Sequence, residues 1–66
     1  MYKEYEVVVA SKDLNDVVLK GCKGTIVLVY TRPALGYEVE FFNSENETIG
    51  VLTVTPGEIS KEHLDN

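Results

Sequence analysis

The apolar residues of this chain fall in short, β-branched runs fenced by turn residues, and that pattern restricts the fold more than any other feature. Val7, Val8 and Val9 are consecutive, and Thr25 to Thr31 reads Thr-Ile-Val-Leu-Val-Tyr-Thr. Tyr37 to Phe42 alternates, with Tyr37, Val39 and Phe41 on one face and Glu38 and Glu40 on the other. Thr48 to Val54 is a further run, with Gly50 inside it. Side chains of this type favour strands, and the alternation is that of a half-buried antiparallel strand. Between the runs lie Ser11 to Lys23, Arg32-Pro33-Ala34-Leu35-Gly36 and Asn43 to Glu47, all rich in turn formers. Strands are therefore expected over 5–10, 25–31, 37–42 and 48–54.

Gly21 and Gly24 bracket the entry to the second strand and are read as backbone devices. Gly50 is read as the mark of a bulge or bend. Thr55-Pro56-Gly57-Glu58 then carries a capping-box pattern, which predicts one helical turn over Pro56 to Ser60. A brief final strand or tail follows to Asn66. The expected fold is all-β: one small SH3-like barrel of four to five antiparallel strands spanning 1–66, with a short helical turn near the C-terminus. The alternative is an open meander that dimerises through an edge.

Size and charge narrow the function. The chain has 66 residues, 44% of them hydrophobic. A domain this small buries only about 60% of its unfolded surface, so little stability is left to hold strained catalytic groups. That weighs against an enzyme. Six Lys plus Arg face eleven Asp plus Glu, for a net charge of −5. Phosphate backbones are repelled on average by such a surface, whereas a basic protein partner is attracted. Cys22 is the single cysteine, so no internal disulfide forms, which points to a reducing cytoplasm. No apolar stretch reaches the roughly 20 residues of a membrane span, and the N-terminus lacks the apolar run of a signal peptide.

No residue cluster announces chemistry. His63 is the only histidine and reads as an exposed tail residue. Cys22 beside Lys23 suggests a lowered thiol pKa at most. One Cys and one His do not make a zinc site, and Asp13, Asn15 and Asp16 miss the calcium-loop spacing, so neither metal nor cofactor is expected. Glu38 and Glu40 share a strand face about 7 Å apart, a solvated or contact face without a cleft.

The apolar pattern is more informative. With Val27 and Val29 taken as inward, Ile26, Leu28 and Tyr30 point outward. With Ile49 and Val51 inward, Leu52 and Val54 do not reach the core. A small barrel has one interior, so the outward set is either covered by Leu14, Val17, Val18 and Leu19 of the long loop or forms a contact patch. Tyr30, Tyr2, Tyr5 and Tyr37 add the aromatic type favoured at interfaces.

These residues also carry a resemblance. Gly21-Cys22-Lys23-Gly24-Thr25-Ile26-Val27, then Tyr30, then Gly36-Tyr37-Glu38-Val39-Glu40-Phe41, then Thr48 resemble a family of small prokaryotic proteins of unknown function with the pattern G-x-x-G-T-[IV]-V…Y…G-Y-x-V-E-F…T. The likeness covers nearly the whole chain and implies an SH3-like barrel, akin to KOW domains and the barrels of nitrile hydratase β subunits. It also implies an antitoxin-like or accessory-subunit role.

Three functions follow as expectations. The first is a non-catalytic protein-interaction module, antitoxin-like, that binds a basic partner through Ile26, Leu28 and Tyr30 as apolar anchors and Glu38 and Glu40 as a charged rim. The second is a KOW-like nucleic-acid or ribosome-associated barrel using Lys20, Lys23 and Arg32, which the acidic hairpin disfavours. The third is an accessory subunit of a larger enzyme. A homodimer through an apolar strand face is compatible with all three.

Overall fold

The runs become five antiparallel strands in one sheet. In the computed structural model, which describes residues 1–62, these are β1 (Val7–Ala10), β2 (Lys23–Tyr30), β3 (Gly36–Phe42), β4 (Thr48–Val54) and β5 (Ile59–Lys61). A 3-10 turn over Pro56–Glu58 joins the last two. The spatial order is β4-β3-β2-β1-β5, so the last strand lies beside the first. The ladder has two ends, β4 and β5, where a fully closed barrel has none. Curvature supplies the enclosure instead. Val54 of β4 and Ile59 of β5, at opposite ends of the order, belong to one core cluster with Val8, Ile26, Val39 and Phe41.

Several boundaries differ from the sequence expectation. The first strand begins at Val7, not at Tyr5, because Tyr5 has φ 69° in a turn. That conformation is costly for a non-glycine residue. The helical turn ends at Glu58 rather than Ser60, because Ser60 pairs with Val9. His63 and the end of the tail lie outside the described residues.

The main correction concerns which residues face inward. Along β2, Ile26 pairs with Val39 of β3, but Leu28 pairs with Glu38, so Val27 is an extra residue in a bulge. A bulge shifts the alternation by one. Ile26 is therefore fully buried, not outward; Leu28 does point outward and Val29 packs inward, as expected. The same occurs in β4, where Gly50 pairs with Phe41 and Thr48 with Phe42, leaving Ile49 over. Val54 is buried and Leu52 packs against the core, while Val51, expected inside, is exposed. The bulge beside Gly50 is the one its position suggested. On β3 the alternation holds throughout: Tyr37, Val39 and Phe41 are buried and Glu38 and Glu40 face out.

The long loop divides between core and surface. The Asn15 side chain accepts hydrogen bonds from the Val17 and Val18 N–H groups at 2.9 and 2.6 Å, and Asp13 accepts from Lys20 N–H at 2.8 Å. Short polar side chains thus hold a tight loop. Val18 is driven fully into the core, Leu14 packs beside it, and Val17 and Leu19 stay exposed. The loop therefore covers the core and leaves apolar surface of its own.

The two glycines read as a pair have different tasks. Gly21 has φ 90°, the left-handed region that glycine tolerates. Gly24 is needed for close approach: a Cβ there would lie 2.6 Å from Val39 Cγ1 and 2.8 Å from Phe41 Cδ1.

Candidate functional site

The outer face of β2, β3 and β4 collects most of the expected contact residues. Directly across the strands runs a row Val51–Glu40–Thr25–Val7, and beside it Thr53–Glu38–Leu28. Val51, Leu28 and Val7 are 53, 43 and 42% exposed, so the face is apolar at its margins and acidic at its centre. Tyr30 is half-buried at the end of β2, opposite Gly36. Ile26 is absent from this face because the bulge turns it into the core. Of the other tyrosines, Tyr37 is fully buried, and its hydroxyl accepts a hydrogen bond from Tyr2 N–H at 3.0 Å while the rings meet edge to face at 5.4 Å. Tyr5 is exposed.

The two carboxylates are held by threonines of the neighbouring strand. The Thr48 hydroxyl donates to Glu40 Oε2 at 2.6 Å, and the Thr53 hydroxyl donates to Glu38 Oε1. The ion pairs among the described residues are Lys12–Glu58 at 4.0 Å and Lys23–Glu62 at 2.6 Å, so neither Glu38 nor Glu40 is neutralised by a described cation.

At the β1 end of this face, Val7 and Thr25 also line a groove, together with Phe42, Val17, Leu19 and Lys23. It was not foreseen. The signal was present in Val17 and Leu19, but only the inward turn of Val18 shows that its neighbours must point out.

The basic residues do not form one patch. Lys20 and Lys23 stand at the groove, and Lys23 is paired with Glu62. Arg32 lies beyond the other end of β2, about 25 Å away along the eight-residue strand.

Reactive groups are correspondingly quiet. Burial pushes the Cys22 thiol above its ordinary range, opposite to the lowering that a neighbouring lysine suggested. Its Sγ donates to the Phe42 carbonyl at 3.2 Å. Glu58 is held below the ordinary carboxylate range, chiefly because it accepts the Thr55 N–H at 2.9 Å. That is half of a capping box, so the shift marks a structural contact. No group of three or more His, Cys, Asp or Glu suited to a metal ion occurs among the described residues. No helix there is long and apolar enough to cross a membrane.

A family model described as Domain of unknown function (DUF4926) matches residues 4–61. No curated protein and no solved structure matches the chain.

Proposed function

The chain belongs to the DUF4926 family of domains of unknown function, and from that premise we propose that it is a non-catalytic, cytoplasmic protein-interaction module on an SH3-like sheet, binding a basic partner in the manner of an antitoxin. One observation carries this reading. The outer face sets two carboxylates without a cation partner among the described residues, Glu38 and Glu40 of β3, between exposed apolar residues of the flanking strands β2 and β4. Apolar surface that a small domain leaves uncovered supplies contact area, and a central pair of anions supplies steering and register. The contact set is Leu28, Val51 and Tyr30 with Glu38 and Glu40. Ile26 supports it from within the core.

The KOW-like reading has less support, because Lys23 is paired and Arg32 stands at the far end of its strand. The accessory-subunit reading shares the outer face and differs only in the partner.

The test is affinity capture from native lysate, with and without nuclease, using wild-type protein, the double variant Glu38→Lys/Glu40→Lys and Leu28→Ser. One stoichiometric protein that survives nuclease and is lost with both variants is expected. Charge reversal should also slow association and flatten its salt dependence. Capture that vanishes with nuclease would promote the nucleic-acid reading. Capture unchanged by either variant would sink the outer-face assignment.

A further inference from the structure

We propose that the free edge of β4 accepts an extended, basic segment of the protein partner as a sixth strand. The inference rests on the reading of the outer face as a docking surface and adds the mode of docking and the chemistry of the docked segment.

The two ends of the sheet are built differently. β5 has three residues, carries Lys61 and follows directly on the Pro56–Glu58 turn. A short, charged strand is a protected edge. β4 has seven residues, Thr-Ile-Gly-Val-Leu-Thr-Val, with neither a charge nor a proline. Its ladder partner is β3 alone, and among the described residues no loop donates to or accepts from its backbone. The bulge at Ile49 leaves Gly50 to Val54 in continuous register with β3. Alternate N–H and C=O groups of that stretch point away from β3, the arrangement that pairs with an added strand.

Charge selects the occupant. The threonine hydroxyls that hold Glu38 and Glu40 belong to β4, so both carboxylates are drawn from β3 over β4, towards the open edge. Each keeps one oxygen without a described partner. An added strand would lie two strand spacings from β3, about 10 Å, a gap that a lysine or arginine side chain leaning across Val51 or Thr53 closes. A second copy of this chain fits less well. It brings a further net charge of −5, and its own β4 offers no cation.

The probe is a nine-residue peptide of alternating lysine and threonine with blocked ends, added to isotopically labelled protein. The expected result is amide shift changes concentrated on Gly50 to Val54, with exchange there slowed about tenfold or more as those groups become hydrogen-bonded. A peptide with glutamate in place of lysine should not bind. N-methylation of the amides on one edge of the peptide should abolish binding, because the ladder needs those donors. Glu38→Gln/Glu40→Gln should weaken binding by roughly tenfold, the upper range for two exposed ion pairs. Val51→Lys, on the exposed side of the strand, should weaken it as well.

Equal binding of the N-methylated peptide would overturn strand addition while leaving the outer-face reading intact. Shifts confined to the Val7–Leu19 groove, or no binding at millimolar peptide, would overturn it too. Protection of β4 amides that grows with protein concentration alone would give the edge to a second copy. Capture of the native partner unchanged by Leu28→Ser and by charge reversal is the separate result that defeats the underlying reading.

Discussion

Gly24 shows how one missing side chain sets the geometry of the centre. It is buried on β2 against β3, and an added Cβ would meet Val39 Cγ1 at 2.6 Å, Phe41 Cδ1 at 2.8 Å and the Glu40 carbonyl oxygen at 3.0 Å. The last contact is backbone, so no rotamer change relieves it. Gly24→Ala is expected to destabilise the fold by about 1–3 kcal/mol, the range for overpacking a dense core. Gly57→Ala, where nothing lies within 4 Å, should stay within about 0.5 kcal/mol. Urea denaturation of the two variants beside wild type checks both. An equal cost at the two sites would show that glycine acts here only through chain flexibility.

At the level of elements, the two bulges decide which residues the outer face presents. Before Val27 the even-numbered residues of β2 face inward, and after it the odd-numbered ones do; in β4 the bulge at Ile49 leaves the even-numbered residues Leu52 and Val54 inward and Val51 and Thr53 outward. Ile26→Ala should therefore cost about 2–5 kcal/mol as a core truncation. Leu28→Ala, at a 43% exposed position, should cost under about 1 kcal/mol. Thermal or urea melts that gave the reverse order would place the bulge elsewhere. This is also where sequence reading reached its limit. β3 alternates without interruption, and its inward and outward residues were legible from Tyr37 to Phe42. β4 was placed over the residues it occupies, and the Thr55–Glu58 cap announced its turn. Leu28, Glu38 and Glu40 were correctly placed outward. Ile26, Val51, Leu52 and Val54 were misassigned, because an extra residue in a ladder is set by pairing with a distant strand and leaves no mark in local period-two patterning. Val18 was one of four apolar loop residues. Its selection for the core depends on the Asn15 and Asp13 hydrogen bonds, which fix the loop's path.

For the whole molecule, charge is spread with few compensating contacts. The chain carries eleven acidic and six basic residues, and the described ion pairs are Lys12–Glu58 and Lys23–Glu62, with the lysines largely exposed. Exposed pairs contribute little, whereas a net charge of −5 repels itself throughout the compact state. Added salt should thus stabilise the fold, by less than about 1 kcal/mol between 10 and 200 mM sodium chloride at pH 7. Urea titrations at the two salt concentrations measure it, and a loss of stability with salt would mean that the ion pairs outweigh the repulsion. The same imbalance is what the proposed basic partner would meet.

The neighbourhood of the last strand and the first has a consequence for how the protein comes into being. Val8 lies opposite Lys61, and Ile59 enters the core beside Ala10. A ribosome emits β1 before β5, so the nascent chain holds Val8, Tyr37 and Phe41 without their full cover until Ile59 to Lys61 have been released. β2, β3 and β4 can form hairpins on the way out, since consecutive strands are paired. Closing the sheet waits for residue 61 to leave the ribosome. Until then the emerging chain depends on speed of synthesis, or on a chaperone, to keep its apolar face from other chains.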